Sequence, residues 1–203
     1  VLARPIPAAI SALVPNIPLF SAQENKTDNG TEKPSKLQAS LEAAIRNSGL
    51  QNGMTISFHH AFRDGDKTVN MVLEKLAVMG FKDLTLAASS LTNCHSPLIE
   101  HIKHGVISKI YTSGMRGELA DAISHGLMDE PVQIHSHGGR VNLIQKGEIT
   151  IDIAFLAVSC CDEYGNASGN GGTSQCGSLG YAMVDAQYAK KVVLLTETLK
   201  PFP

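Results

Sequence analysis

The spacing of apolar residues changes repeatedly between a helical period and short continuous runs, which predicts alternating helices and strands. The amphipathic segments predict helices at 37–45, 68–79, 97–104, 117–126, 141–146 and 182–189. The apolar runs predict strands at 54–58, 84–88, 106–112, 132–135, 151–158 and 191–196. Because the strands are apolar almost throughout, we expect an α/β fold, a parallel open sheet with helices on both faces.

The first 36 residues differ from the rest of the chain. They hold five of the nine prolines and a polar stretch that contains Asp28-Asn29-Gly30. We therefore expect an extended N-terminal arm over 1–36 and one α/β domain over 37–203. The chain begins at Val1 and stops after Pro201-Phe202-Pro203, which favours a piece of a longer polypeptide.

The loops that follow the predicted strands are the candidate site. In open parallel sheets, ligands bind beyond the carboxyl ends of the strands. Gly138 and Gly139 follow one strand, and their N–H groups could bind an oxyanion or a carboxylate, although an ordinary turn is the alternative. The loop that starts at Ser159 is long and rich in small residues, so we expect it to line a site.

Composition excludes several classes of protein. The formal charge of -2, from 17 Lys+Arg against 19 Asp+Glu, gives no electrostatic reason to expect nucleic acid or an anionic membrane as a partner. No segment reaches the ~20 apolar residues that cross a bilayer. The four cysteines form no C-x-x-C, so we expect reduced thiols, no disulfide framework and a cytoplasmic protein.

The common catalytic and metal motifs are also absent. The sequence contains no P-loop, no G-x-G-x-x-G and no G-x-S-x-G. His101 and His104 lie on one helix face but have no obvious carboxylate partner, and His135 and His137, two apart on a strand, point to opposite faces. We therefore predict no metal site. Cys160-Cys161 follow a strand end, where a nucleophile could lie, but we favour small buried side chains.

The run 157–169 resembles the strand and turn of family I coenzyme A transferases and acetyl-CoA hydrolases. Ser159, Asp162, Gly165 and Ser168 occupy the positions of that pattern, whereas Cys160-Cys161 stand where proline is common. The loop from Phe58 to Asp66, together with Cys-Cys-Asp-Glu-Tyr-Gly-Asn-Ala, further resembles the alpha subunits of citrate lyases. The resemblance extends over about 37–203.

This resemblance implies a coenzyme A transferase-like fold and a transferase activity. The alpha subunits exchange acetyl for citryl on the thiol of an acyl carrier protein, which bears phosphoribosyl-dephospho-CoA. The implied partners are citrate, the beta subunit and the acyl carrier (gamma) subunit, in a homo- or hetero-oligomer, with no tightly bound cofactor on this chain. The glutamate nucleophile of the family lies in a second domain, so we expect these 203 residues alone to be inactive. Within them, Glu163 and Glu197 are only weak candidates for the nucleophile.

Within that framework, we assign His59, His60 and Arg63 to the carboxylates of citrate, because Arg can bind a carboxylate with two hydrogen bonds. We assign Asn166 and Ser168 to the acyl or pantetheine part of the substrate. Ser159, Asp162 and Gly165, like Gly138 and Gly139, complete the candidate binding residues.

Three alternatives stay open. The first is another family I acyl-CoA transferase or acyl-CoA hydrolase, acting on free CoA. The second is a non-catalytic carrier-binding domain. The third is a sugar-phosphate isomerase of the same fold, which the pattern of Asp162 to Ser168 disfavours.

Overall fold

A computed structural model describes residues 34–59 and 61–203. The expected N-terminal arm therefore lies almost wholly outside the described residues. Within the described residues, no helix is long and apolar enough to cross a membrane.

Six parallel strands form the central sheet, in the order β4–β3–β2–β1–β5–β8. Their bounds are β1 Thr55–Phe58, β2 Leu84–Ala88, β3 Ile107–Thr112, β4 Gln133–Ile134, β5 Ile153–Ala157 and β8 Lys191–Leu195. Two further strands, β6 Cys160–Cys161 and β7 Ala167–Ser168, pair antiparallel as a small hairpin directly after β5. The predicted parallel sheet is confirmed, and the hairpin was not predicted.

The α-helices of the described residues cover both faces of this sheet. Their bounds are α1 Leu41–Ser48, α2 Thr68–Val78, α3 Leu98–Lys103, α4 Glu118–Ser124, α5 His137–Gln145 and α6 Gly180–Tyr188. Along β5, Ile153 and Phe155 join the core on the α1–α4 side, whereas Ala154 and Leu156 join the core on the α5–α6 side. This alternation explains why the strand reads as continuously apolar.

Two helix starts lie four residues from their predicted positions. Helix α1 begins at Leu41 rather than at residue 37, because the Ser40 side chain accepts a hydrogen bond from the Ala43 N–H and caps the helix. Helix α5 begins at His137 rather than at residue 141, so the paired glycines lie in a helix. Their low helix propensity concealed this first turn.

A buried ion pair joins the two helices on the second face. Arg140 of α5 donates two hydrogen bonds to the Asp185 carboxylate of α6, at 2.7 and 2.9 Å. A third bond, of 3.2 Å, runs from Arg140 to the carbonyl oxygen of Ala87 in β2. Arg140 is 1% exposed and Asp185 is fully buried. The guanidinium also lies 5.5 Å from the centre of the Tyr181 ring. Sequence analysis did not identify this pair.

We predict that Arg140→Ala lowers the free energy of unfolding by about 3–5 kcal/mol, because it leaves the Asp185 charge buried without its partner. The measurement is urea unfolding of the purified chain. Arg46→Ala is the control, since Arg46 pairs with Glu42 on the exposed surface of α1 and its loss should cost less than about 1 kcal/mol. Equal losses in the two variants would contradict the prediction.

Candidate functional site

The strand order reverses between β1 and β5, which lie side by side in the sheet. Such a reversal opens a crevice beyond the carboxyl ends of the two strands. The structure has a cleft of about 450 Å³ at this position. Its lining comes from the segments after β1, β5 and β8 and from one residue of the Gly-rich loop: Phe62, Gly65, Asp66, Lys67, Thr68, Met71, Ala157, Val158, Ser159, Ser174, Leu195, Thr196 and Glu197.

The loop after β1 forms one side of this cleft. His59 is buried, and the 3-10 turn Arg63–Gly65 presents Arg63 at the exposed surface. The φ angle of Arg63 is +64°, in the left-handed region that non-glycine residues seldom adopt. His60 lies outside the described residues, so its assignment to citrate stays a prediction, as do those of His59 and Arg63.

Ser159 lies at the carboxyl end of β5 and anchors the Gly-rich loop. Its hydroxyl oxygen accepts a 2.9 Å hydrogen bond from the Gly172 N–H, and its carbonyl oxygen accepts one from Thr196 Oγ1 at 3.1 Å. A Cβ atom at Gly172 would overlap the Ser159 carbonyl group, and one at Gly169 would overlap the Gly177 carbonyl group. The glycines are thus required by close approach of the backbone. Ser159 also lines the cleft.

Asp162 closes the turn of the β6–β7 hairpin. Its Oδ1 accepts hydrogen bonds from the N–H groups of Tyr164 and Asn166, both at 2.9 Å, and its Oδ2 accepts one from the Asn166 side chain at 2.6 Å. Gly165 supplies the positive φ of the turn, +96°. Burial of Asp162 disfavours its charge, but the hydrogen bonds from Asn166, Tyr164 and Gly165 outweigh burial and lower the pKa of the carboxyl group.

These contacts give the hairpin residues a structural role. Asp162 and Gly165 line a different groove, of about 620 Å³, between α1 and the edge strand β8. The Asn166 side-chain amide donates a hydrogen bond to Asp162. The Ser168 hydroxyl oxygen accepts one from the Asn170 N–H at 3.2 Å. Contact of Asn166 or Ser168 with an acyl or pantetheine group therefore stays a prediction.

Gly138 and Gly139 lie apart from both grooves, in the first turn of α5. The Gly139 N–H donates to the Ser136 hydroxyl oxygen at 3.1 Å, so the helix cap already occupies it. Gly138 is exposed. The expectation of an open glycine loop between residues 136 and 140 was wrong, because the segment is helical from His137 onward. An oxyanion role for these two glycines stays a prediction.

The Cys161 thiol is poorly suited to nucleophilic catalysis. All four cysteines are free, and Cys160 and Cys161 are buried in β6. Burial, with smaller contributions from the Asp162 charge and Cys160, raises the pKa of the Cys161 thiol. A thiol with a raised pKa is a poor nucleophile at neutral pH. Among the described residues, no group of three or more His, Cys, Asp or Glu residues could hold a metal ion.

Comparison with known proteins identifies the family. Residues 34–203 match the family model "Citrate lyase, alpha subunit". This chain belongs to the citrate lyase alpha-subunit family. It is 71% identical over 168 residues to the citrate lyase alpha chain of Klebsiella pneumoniae and 67% identical over 168 residues to that of Escherichia coli K12. Each match covers 83% of this chain and 33% of the relative, so the chain spans about one third of the curated relatives' length.

Solved structures support the same relationship. An alpha subunit of citrate lyase from Streptococcus mutans, solved in complex with citrate, is 51% identical with a TM-score of 0.83. That match covers 87% of this chain and 34% of the solved one. The decarboxylase AibA/AibB, at 14% identity and a TM-score of 0.57, covers 84% of this chain and 79% of its own, and it shows a likeness of fold alone.

In this member of the citrate lyase alpha-subunit family, the cleft is also lined by polar residues that had no role predicted from the sequence. They include Asp66, Lys67, Ser174 and Thr196. Asp66 had a detectable signal, since an aspartate just before an amphipathic segment is typical of a helix start. Thr196 had none, because its position depends on β8 lying next to β5 in the sheet.

We predict that Asp162→Asn lowers the free energy of unfolding by roughly 1–3 kcal/mol at pH 7, because its amide would place a donor against the Asn166 amide. The pKa of Asp162 is lowered in the fold, so the stability from its ionised form is present above the ordinary value of about 3.9 and is lost as pH falls through the folded value.

The measurement is urea unfolding of both proteins between pH 7 and pH 3. The difference between wild type and variant should shrink as the pH falls below about 4. Asp129→Asn, at an exposed position, serves as the matched control and should change little at either pH. A difference that stays constant over this range would contradict the lowered pKa.

Proposed function

We propose that these residues form the first α/β half of a citrate lyase alpha subunit, which exchanges acetyl for citryl on the thiol of an acyl carrier protein. The observation that carries this proposal is the match of residues 34–203 to the citrate lyase alpha-subunit family, together with the relative solved with citrate. The cleft at the β1–β5 reversal supplies a place for the substrate. We expect this function in the cytoplasm.

The proposed assembly contains further components. The partners are the beta subunit, which cleaves the citryl thioester, and the acyl carrier (gamma) subunit with its phosphoribosyl-dephospho-CoA group. The thiol of that group, rather than a cofactor resident on this chain, carries the acyl group. We place the glutamate nucleophile in a second domain, as the resemblance to family I coenzyme A transferases implies. The curated relatives are about three times as long as the region matched here, so they have room for such a domain.

The proposed chemistry is covalent catalysis. A glutamate carboxylate attacks the thioester carbonyl carbon, the carrier thiolate leaves, and a mixed anhydride remains on the enzyme. The carrier thiolate then attacks the glutamyl carbonyl carbon, which releases acetate and leaves an enzyme thioester. A citrate carboxylate attacks that thioester and expels the thiolate, which forms a citryl anhydride. The thiolate finally attacks the citryl carbonyl carbon, which gives citryl-carrier and frees the glutamate. The domain described here binds and orients the substrate: Arg63, with His59 and His60, receives the carboxylates of citrate.

A related activity is the alternative, a family I acyl-CoA transferase or acyl-CoA hydrolase that uses free CoA. The two proposals differ in the acyl acceptor and in the thiol. The full-length protein should be incubated with acetyl-carrier and citrate, and separately with acetyl-CoA and citrate. Faster transfer from acetyl-carrier supports the proposal, whereas release of acetate without citryl thioester supports a hydrolase. Trapping with borohydride or hydroxylamine tests the covalent step, and no modified glutamate would exclude it.

We predict that Arg63→Ala in the full-length protein raises the KM for citrate by about 10- to 100-fold, the loss expected for one charge-assisted contact with a carboxylate. Arg63 is exposed, so the fold should survive the change. Steady-state kinetics with citrate varied at saturating acetyl-carrier provide the measurement. Arg46→Ala, in the exposed α1 pair with Glu42, should leave KM at the wild-type value. An unchanged KM in Arg63→Ala would remove Arg63 from the site.

A further inference from the structure

Asp66 ties together the loop that forms one side of the cleft. Its Oδ2 accepts a hydrogen bond from the Phe62 N–H at 3.2 Å, and its Oδ1 accepts one from the Thr68 N–H at 2.9 Å. Its own N–H donates to the Arg63 carbonyl oxygen at 3.0 Å. Asp66 is 3% exposed, although it contributes to the lining of the cleft.

These contacts direct the carboxylate towards the protein backbone rather than towards a ligand. Each carboxylate oxygen accepts from a backbone N–H group, and the Thr68 N–H belongs to the first turn of α2. A negative charge at the start of a helix is favourable, because the N–H groups there lack partners within the helix. Asp66 therefore suits a role in holding the loop.

The loop needs such a restraint because its backbone is unusual. Arg63 has a φ of +64°, which costs free energy in a residue with a side chain. Conformations of this kind persist where the surrounding contacts determine them. Asp66 forms hydrogen bonds with the Phe62 N–H, which precedes Arg63, and with the carbonyl oxygen of Arg63 itself.

A second attachment connects Asp66 to the neighbouring loop. The Cys94 thiol, in the 3-10 turn after β2, donates to the Asp66 carbonyl oxygen at 3.5 Å. The Asn70 side chain of α2 in turn donates to the Cys94 carbonyl oxygen at 2.7 Å. The loop after β1 is thus fixed both to its own helix and to the loop after β2.

We propose that Asp66 is a positioning residue for the substrate: through Phe62 and Arg63 it fixes the backbone of residues 61–66, and so sets the place of the Arg63 guanidinium, whose sequence neighbours Phe62 and Gly65 line the cleft. This inference rests on the proposed function, since it assumes that Arg63 receives a carboxylate of citrate. It differs from a simple helix-capping role, which needs only the bond to Thr68.

The experiment separates the two bonds of the carboxylate in the full-length protein. Asp66→Ala removes both, whereas the Ser hydroxyl of Asp66→Ser can still cap α2 at Thr68 but is too short to hold Phe62 as well. We expect Asp66→Ala to raise the KM for citrate about tenfold or more and to lower the melting temperature. We expect Asp66→Ser to recover the melting temperature but to keep the raised KM. Asp129→Ala, at an exposed position, should match wild type in both.

Amide hydrogen exchange provides a readout that does not depend on activity. The Phe62 N–H should exchange at least tenfold faster in Asp66→Ala and in Asp66→Ser than in wild type. If Asp66→Ser restores KM together with the melting temperature, or if Asp66→Ala leaves KM unchanged, the positioning role is overturned. If wild type does not use citrate at all, the proposed function fails, and the Phe62 exchange alone then decides whether Asp66 restrains the loop.

Discussion

The reversal of strand order between β1 and β5 determines where the rest of the molecule lies. From β1 to β4 the sheet grows in one direction, and right-handed crossovers place α2, α3 and α4 on one face. The chain then returns to the other side of β1, and the same handedness places α5 and α6 on the opposite face. The two hydrophobic cores and the cleft above β1 and β5 are consequences of this single change of direction.

The second face depends on a polar contact as much as on apolar packing. Its buried core contains small side chains, among them Ala87, Ala154 and Ala182, beside a few larger aliphatic ones. Beside them, Arg140 makes three hydrogen bonds that connect α5 to α6 and to β2. A buried pair of this geometry fixes how the helices align, because any other alignment would leave a charge without its partner.

The sequence predicts the sheet well because each buried strand must be apolar on both faces, as Phe155 and Leu156 of β5 illustrate. The sequence predicts short strands less well, because only a few residues indicate them. The short β6 and β7 strands have no periodicity of their own, and they form because Asp162 accepts three hydrogen bonds across the turn. The Arg140–Asp185 pair joins residues 45 positions apart, so no local sequence pattern indicates it.

The candidate site shows the same distinction. Its expected location at the strand ends follows from the fold class, and Ser159 lies at the end of β5 and lines the cleft. The individual roles of its polar residues do not follow from the fold class, because a sequence does not show which hydrogen-bond donors a carboxylate contacts.

Two carboxylates illustrate how backbone hydrogen bonds hold the loops at the strand ends. Asp66 after β1 and Asp162 after β5 each accept backbone N–H groups, so their charges are compensated by the loops that they close. A carboxylate that accepts hydrogen bonds from backbone N–H groups stabilises its loop, because these donors favour the charged form. The two acidic residues thus give the loops after β1 and β5 their shape.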